Sequence, residues 1–323
     1  MPMGRTWRWW LLVCALIVAL GAMGAALPLA GLYRAKGCID LPRPVRDVSL
    51  GLEQAETVRF VALGDTGTGD ANQQAVAAAL ARVCATAGCD FVVLLGDMFY
   101  PNGLTGPDDP AVARLWVKPY AALDVPMLPV VGNHDLKLDV FALPALSLSH
   151  ERWHMPNFRY SVRAGPAQFH AINSNCLFYQ YPALHRRLRH GAGRAERPWQ
   201  FVLAHHPLYS TSQQDDADPI VRWYWNRTLR GQVDVYLSGH SHELEHLRMA
   251  GDPADFIVSG AGGENNLEPR QRRASPAKTR FLHRGNGFAW FQVQRDAVHM
   301  RFHDREGALL YEHTRHARQA HGR

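Results

Sequence analysis

Five stretches of this 323-residue chain place side chains that bind metal ions directly after apolar runs. A single aspartate or histidine at such a place is usually a turn or structural residue. Turn chemistry does not require such residues after five successive strands, nor the pattern His-x-His, so the set predicts a metal centre. In chain order the stretches contribute Asp65; Asp97 and Tyr100; Asn133 and His134; His205 and His206; and His240 and His242.

The donor atoms of these residues indicate two metal ions rather than one. Carboxylates, a phenolate and an amide oxygen are hard ligands, whereas imidazole suits iron, zinc or manganese. Together they are too many for one tetrahedral zinc ion, which takes about three or four ligands. Paired ions that share a carboxylate serve in-line displacement at phosphorus, where attacking and leaving oxygens both need charge stabilisation. The sequence therefore predicts a phosphoester hydrolase.

Predicted strands and helices must position these side chains. In open α/β sheets the chemistry lies beyond the carboxyl ends of the strands, which is where each ligand residue falls. The ligand-bearing strands are predicted at 58–63, 91–95, 127–131, 200–204 and 233–237. Helices are predicted at 72–85, with Asp70 as N-cap, and at 108–123, 183–190 and 219–230. Further strands are predicted at 158–163, 167–172, 256–259, 288–293, 298–302 and 308–311, so we expect an α/β domain with two sheets.

Taken together, the motifs resemble the calcineurin-like metallophosphoesterase superfamily, whose fold is a two-sheet β-sandwich flanked by helices. Most members have Asp-x-His at the first motif, whereas this chain has Gly67 at the third position. The missing histidine coincides with Tyr100, and this exchange is typical of purple acid phosphatases. Among these, the sequence most resembles the small tartrate-resistant type. The resemblance spans residues 58–311 and rests on Gly64-Asp65, Gly96-Asp97, Gly132-Asn133-His134-Asp135, His205 and Gly239-His240-Ser241-His242.

The resemblance implies a role for each residue of the set. It implies Fe(III) at the first metal position and a divalent iron, zinc or manganese ion at the second. The first ion would take Asp65, Asp97, Tyr100 and His242, and the second Asp97, Asn133, His205 and His240, with Asp97 as the bridge. His134 would be the catalytic and substrate-binding residue, contacting a phosphoryl oxygen or protonating the leaving group. His206 would contact substrate or simply pack.

The predicted activity is an acid phosphatase that hydrolyses phosphate monoesters through a metal-bound hydroxide. A phosphodiesterase or nucleotide pyrophosphatase on the same metals is the alternative, and a non-catalytic anchored binding protein is a third possibility. Two departures from the family bear on acid catalysis. His206 stands where the family often has tyrosine, and the stretch 210–218 lacks the histidine that the animal enzymes place there.

The N-terminal sequence predicts export. Residues 11–30 are almost wholly apolar, which is about the length of a membrane-spanning helix. We expect a basic n-region at 1–8, a transmembrane anchor or cleaved signal segment at 9–33 and a linker at 34–57. A catalytic domain at 58–312 and a basic tail at 313–323 follow. The protein would be anchored and face the periplasm or the extracellular side, or be secreted if the segment is cleaved.

Cysteine content and charge add weaker constraints. Beyond Cys14, four cysteines remain, and disulfides and buried free thiols are both compatible with them, Cys84 and Cys89 being close enough to pair. The formal charge of +6 is modest and comes largely from the stretches 186–197, 270–284 and 315–323. Such basic stretches suit an anionic substrate or an anionic membrane face, but solvated loops and a frayed tail are the favoured interpretation. No motif indicates a nucleic-acid partner, and the sequence does not indicate an oligomeric state.

Overall fold

The computed structural model describes residues 37–38, 41, 47–190, 198–212, 217–264 and 276–317. The predicted n-region and the segment 9–33 lie outside these residues, as do most of the linker before residue 47 and residues 318–323 of the tail. A search of the described helices finds none with the length and apolar character needed to span a bilayer.

The strands of the described chain form two sheets. The six-stranded sheet has the order β14-β13-β12-β2-β3-β4, and the eight-stranded sheet has the order β1-β5-β6-β7-β8-β10-β9-β11. The strands are β1 (Asp47–Val48), β2 (Val58–Leu63), β3 (Phe91–Leu94), β4 (Met127–Pro129), β5 (Tyr160–Ala164), β6 (Ala167–Ala171), β7 (Trp199–Leu203), β8 (Val235–Ser238), β9 (Leu244–Arg248), β10 (Asp255–Ser259), β11 (Lys278–His283), β12 (Gly287–Val293), β13 (Ala297–Asp304) and β14 (Leu309–His316).

Parallel pairing brings the carboxyl ends of the central strands to a common edge in each sheet. In the six-stranded sheet β2, β3 and β4 are parallel neighbours, with Leu63 opposite Leu94 and Leu94 opposite Pro129. In the other sheet β6, β7, β8 and β10 are parallel neighbours. Every predicted ligand follows one of these strands, so the pairing collects the ligands of each sheet at one edge, and the packing of the two sheets brings the edges together.

Short helices connect the strands. Helix α1 (Ala71–Ala87) begins at Asp70, whose carboxylate accepts hydrogen bonds from the backbone N–H groups of Asn72 and Gln73, as predicted for an N-cap. The others are α2 (Pro110–Val112), α3 (Ala142–Leu146), α4 (Leu177–His190) and α5 (Pro219–Tyr224). Helices α2 and α5 continue as π-helical turns over Ala113–Val117 and Trp225–Leu229, which shortens the two α-helices relative to the prediction.

A cluster of phenylalanine side chains joins the sheets. Phe60 on β2 stacks on Phe291 of the same sheet with ring centroids 4.7 Å apart. It meets Phe169 and Phe201 of the eight-stranded sheet edge to face, at 5.1 and 5.6 Å. These rings are fully buried, and the two sheets therefore enclose one apolar layer.

Most predicted strands are present, and the predicted α/β fold with two sheets is confirmed. Strand β2 has the predicted bounds, whereas β1, β9 and β11 were not predicted. In β9 the polar residues Glu245 and His246 lie between leucines, and both are fully buried. That stretch has no alternation of polar and apolar residues, so its pattern does not indicate a strand.

All four described cysteines form disulfides. Cys38 pairs with Cys176 and Cys84 pairs with Cys89, with Cα atoms 5.5 and 5.0 Å apart. Of the two possibilities that the sequence leaves open, the structure thus has the bridges and not free thiols. Structural disulfides are typical of proteins that work outside the cytoplasm, and they support the predicted export.

Candidate metal centre

Three turns present the first ligands in an unusual backbone conformation. Asp65, Asp97 and His240 have φ angles of 58°, 52° and 68°, and they are the only described non-glycine residues with positive φ. Such a conformation costs about 1–3 kcal/mol per residue and persists where the surrounding structure enforces it. Each of the three directly follows a glycine at the end of a buried strand. Strain concentrated in this way marks a functional site.

One group of donor atoms surrounds the Tyr100 hydroxyl. That oxygen lies 3.0 Å from Asp65 Oδ1, 3.2 Å from Asp97 Oδ2 and 3.4 Å from His242 Nε2. His242 Nε2 is in turn 3.4 Å from Asp65 Oδ1. These four side chains are the ones predicted to share the first metal ion.

A second group surrounds His205 Nε2. This nitrogen lies 3.0 Å from Asn133 Oδ1, 3.2 Å from His240 Nδ1 and 3.4 Å from Asp97 Oδ2. Asp97 Oδ2 belongs to both groups, so one carboxylate oxygen stands between them. Asp97 therefore lies where the bridging ligand predicted from the sequence would have to lie.

The polarity of the second group suits a cation. His205 Nδ1 lies 2.8 Å from the Leu95 carbonyl oxygen, which can only accept, so we assign the ring hydrogen to Nδ1. The lone pair of Nε2 then faces the oxygens of Asn133 and Asp97, which are acceptors as well. Donor atoms about 3 Å apart are also the spacing expected for neighbouring ligands with bonds of about 2.1 Å to one ion.

The pKa shifts show that the carboxylates of the site favour positive charge. Burial disfavours charge on His205, but the Asp97 carboxylate outweighs it and raises the pKa of His205 to about 10. Burial also raises the pKa of Tyr100, and the adjacent carboxylates of Asp65 and Asp97 raise it further. Tyrosinate can therefore form here only when a cation compensates the carboxylates. The residues present thus fit a metal centre.

Asp135 holds the bridging loop in place, a role that the sequence does not reveal. Its fully buried carboxylate accepts backbone N–H groups from Asp97 at 2.9 Å, Met98 at 3.1 Å, Phe99 at 3.2 Å and Gly132 at 3.0 Å. Burial and the neighbouring Asp97 carboxylate raise the pKa of Asp135, and these N–H groups oppose that rise. The only available sequence signal is its place in the motif Gly132-Asn133-His134-Asp135.

His134 lies beside the two donor groups rather than within them. Its backbone N–H donates to Asp97 Oδ1 at 2.7 Å, and its ring lies 4.5 Å from that of Tyr100. Its Nδ1 is 2.8 Å from the Pro101 carbonyl oxygen, so the ring is engaged through Nδ1 and Nε2 is available. The ammonium group of Lys137, a residue that the sequence analysis does not select, lies 2.9 Å from the same Nδ1.

His206 is packed against the second donor group. Its ring lies 4.5 Å from that of His240, and Ser174 Oγ lies 2.9 Å from its Nδ1. Ser174 Oγ also accepts the backbone N–H groups of His205 and His206 at 3.2 and 2.9 Å. Burial and the charges of His205 and His240 hold the pKa of His206 well below its usual range, so this imidazole is neutral.

The contact at Gly67 explains why this position carries no side chain. A Cβ atom on Gly67 would lie 2.0 Å from the Met98 carbonyl oxygen, and the Tyr100 N–H donates to the Gly67 carbonyl at 3.0 Å. The loop that carries Tyr100 therefore occupies the space that any side chain at position 67 would need. Glycine at 67 and tyrosine at 100 are two parts of one arrangement.

A two-sheet α/β fold with two donor groups sharing a carboxylate at the strand ends defines a metal-dependent phosphoesterase. Residues 58–244 match the family model described as Calcineurin-like phosphoesterase, and the chain belongs to that family. The chain is 28% identical over 280 residues to purple acid phosphatase 3 of Arabidopsis thaliana, an alignment that covers 79% of this chain and 76% of that protein.

Two further comparisons extend this result. The chain is 25% identical over 297 residues to tartrate-resistant acid phosphatase type 5 of Rattus norvegicus, covering 80% of this chain and 90% of that one. A solved structure described as "GAP50 the anchor in the inner membrane complex of Plasmodium" superposes with a TM-score of 0.70 at 20% identity, covering 81% and 90% of the two chains. The latter likeness concerns the fold alone. The predicted resemblance and the predicted metal-dependent phosphatase are confirmed by the family match and the phosphatase relatives.

Proposed function

We propose that this protein is an exported acid phosphatase that hydrolyses phosphate monoesters with an Fe(III)–M(II) pair. The observation that carries the proposal is the Tyr100 hydroxyl, which lies 3.0 and 3.2 Å from two buried carboxylates. A phenolate beside carboxylates is a hard, anionic ligand set of the kind that favours ferric iron. The similarity to purple acid phosphatases supports the same assignment.

The ligand roles follow the two donor groups. Asp65, Tyr100 and His242 would hold the ferric ion, and Asn133, His205 and His240 the divalent ion of iron, zinc or manganese, with Asp97 shared. When bound, the pair supplies neutralisation of phosphoryl charge and activation of water. The Leu95 carbonyl orients His205 through Nδ1, which keeps Nε2 on the ion.

Side chains beside the ligands suit a dianionic monoester. His134 Nε2 is free to contact a phosphoryl oxygen or to protonate the leaving group, because Nδ1 is engaged by the Pro101 carbonyl. Lys137 adds a positive charge at the same place. Neutral His206 can donate or accept one hydrogen bond and suits substrate contact without adding charge.

The proposed location of the enzyme is the outer face of a membrane. The apolar segment 9–33 would act as an uncleaved anchor, and the two disulfides support an oxidising compartment. Fractionation of cells that carry an N-terminal tag distinguishes the two forms. A tagged, membrane-bound product supports the anchor, and an untagged soluble product shows that the segment is a cleaved signal.

The visible spectrum of the purified full chain tests the metal assignment. We expect a broad tyrosinate-to-iron absorption band that Tyr100→Phe abolishes while activity on p-nitrophenyl phosphate falls by about 100-fold or more. Tyr311→Phe, which changes a tyrosine far from the ligands, should keep both. An active wild-type enzyme that is colourless and contains only zinc or manganese would contradict the ferric site.

A parallel assay on bis-p-nitrophenyl phosphate separates the two phosphoesterase activities. A monoesterase with His134 and Lys137 beside the metal ligands should prefer the monoester, because those groups match a second phosphoryl charge. A preference for the diester would identify the enzyme as a phosphodiesterase on the same metals. Absence of cleavage of both esters by metal-loaded protein would leave a binding role.

A further inference from the structure

A basic cavity is lined by none of the predicted metal ligands. It has a volume of about 270 Å³ and is lined by Arg248, Pro253, Arg280, His313, Arg315 and His316. One ordered water needs only about 10–15 Å³ by this kind of measure, so an anion with several phosphoryl oxygens fits. The cavity lies between β9 and β11 of one sheet and β14 of the other.

The charges in its wall do not balance. Asp255 is fully buried and accepts from Arg248 at 2.7 Å and from Arg315 at 2.7 Å, and Arg315 also lies 3.4 Å from Asp234. Three guanidinium groups thus face two carboxylates. Among the described residues none forms an ion pair or hydrogen bond with Arg280, whose side chain is exposed. The cavity therefore carries an excess of positive charge.

Two lining side chains have unused capacity for an anion. Arg315 is only 7% exposed, and its Nε atom is buried without a hydrogen-bond partner among the described residues. Burial, His246 and the positive charges of Arg248 and Arg280 lower the pKa of His313. An unpartnered buried guanidinium nitrogen and an imidazole in a positive field both gain from a nearby anion.

The same wall contains a histidine–aspartate cluster, but its surroundings exclude a cation. His246, Asp255 and His313 could offer three ligand atoms to a metal ion. Both carboxylate oxygens of Asp255 already accept from arginines, and His246 is engaged by Asp255 at 2.9 Å and Tyr311 at 3.1 Å. A metal here would replace these bonds beside three positive charges, so an anion is the matching ligand.

We propose that this cavity binds a small phosphate-type anion at a site separate from the metal centre. Arg280 would supply the free charge, Arg248 and Arg315 the fixed guanidinium wall, and His313 a hydrogen-bond donor. Strand β10 connects the two sites: it begins at Asp255 beside the cavity and ends at Ser259, whose carbonyl accepts the Gly64 N–H next to Asp65. At about 3.3 Å per residue the four steps from Asp255 to Ser259 span roughly 13 Å.

Titration of an Asp97→Asn full-length chain in neutral detergent tests the site, because that variant lacks the competing metal centre. We expect pyrophosphate to shift the imidazole NMR signal of His313, assigned with His313→Gln, in a saturable way. Arg280→Glu should weaken this binding about tenfold or more. Arg163→Glu makes the same charge change on an exposed residue of β5, which four strands separate from β9, and should stay within about twofold.

Two further titrations test which kind of phosphate-type anion the cavity prefers. Inorganic phosphate and glycerol 3-phosphate are titrated in parallel, and the tighter of the two shows whether the site prefers a free ion or a phosphorylated small molecule. An unmoved His313 signal, or equal weakening by Arg163→Glu and Arg280→Glu, would overturn the proposal. The same titration on the wild-type holoenzyme keeps the test independent of how Asp97→Asn folds.

Discussion

The carboxylate of Asp135 accepts four backbone N–H groups, and three of them belong to the loop that presents Asp97, the proposed bridging ligand. Hydrogen bonds to a charged acceptor contribute about 1.5–3 kcal/mol each, and loss of the acceptor leaves buried donors unsatisfied. A residue that does not coordinate metal in our assignment thus positions the one that both metals share.

We therefore expect Asp135→Ala to lower the free energy of unfolding by about 3 kcal/mol or more and to lower phosphatase activity with the metal content. Asp139 lies four residues after Asp135, and among the described residues its carboxylate accepts only the Phe141 N–H. Asp139→Ala should therefore keep both metals. Urea unfolding and metal analysis measure the two effects. Retention of both metals and full activity in Asp135→Ala would refute the positioning role.

At the scale of loops and strands, the tight contact between Gly67 and the loop after β3 decides where the phenol lies. A Cβ on Gly67 would meet the Met98 carbonyl at 2.0 Å, so the loop must move to admit even a methyl group. Overpacking of this kind costs about 1–3 kcal/mol and displaces the backbone. The displaced atoms include those that carry Asp97 and Tyr100.

Gly67→Ala should therefore weaken or abolish the tyrosinate absorption band and lower activity about tenfold or more. Gly106→Ala is the matched control, since a Cβ at Gly106 meets nothing within 4 Å. Absorption spectra of the two iron-loaded variants provide the measurement. A Gly67→Ala enzyme with an unchanged band would show that the loop tolerates the methyl group without moving.

The strands and their ligands can be predicted from sequence because each ligand directly follows a buried apolar run. The bounds of β2 and the cap at Asp70 follow from apolar patterning and local hydrogen bonding. The contacts of Asp135, Lys137 and Ser174 cannot be predicted in this way, because each depends on loops that approach only after the sheets form. Buried polar residues such as His246 in β9 break the alternation that reveals a strand.

At the scale of the whole molecule, a buried charge network joins the two sheets. Arg315 on β14 of the six-stranded sheet donates to Asp255 on β10 of the eight-stranded sheet at 2.7 Å, and His246 lies 2.9 Å from the same carboxylate. Burial alone would raise the pKa of Asp255, but His246, Arg315 and Arg248 together lower it below its ordinary value. This carboxylate therefore stays charged in acid.

The sign of this shift predicts how stability depends on pH. A lowered pKa in the folded state stabilises the fold above the unfolded value of about 3.9, and the contribution disappears only as pH falls through the lower folded value. Asp255→Asn should lower the free energy of unfolding by about 3 kcal/mol at pH 5–7, because it removes one partner of a buried pair. The deficit should shrink below about pH 4.

Urea unfolding at pH 7, 5 and 3 measures this difference. Asp296→Asn, at an exposed position in the turn between β12 and β13, serves as the control and should match the wild-type protein at each pH. A deficit of Asp255→Asn that stays constant down to pH 3 would mean that charge on this carboxylate does not stabilise the fold.

The Cys38–Cys176 bridge ties the chain to the rim of the metal centre, because Ser174, two residues before Cys176, contacts His206. Five residues separate Cys38 from the end of the apolar segment at residue 33, a reach of at most about 18 Å. In the anchored form proposed above, the bridge therefore leaves only a short tether between the membrane segment and the catalytic domain. The catalytic domain would then reach only a thin layer above the bilayer. The length of the tether would set its effective concentration toward substrates held at that surface.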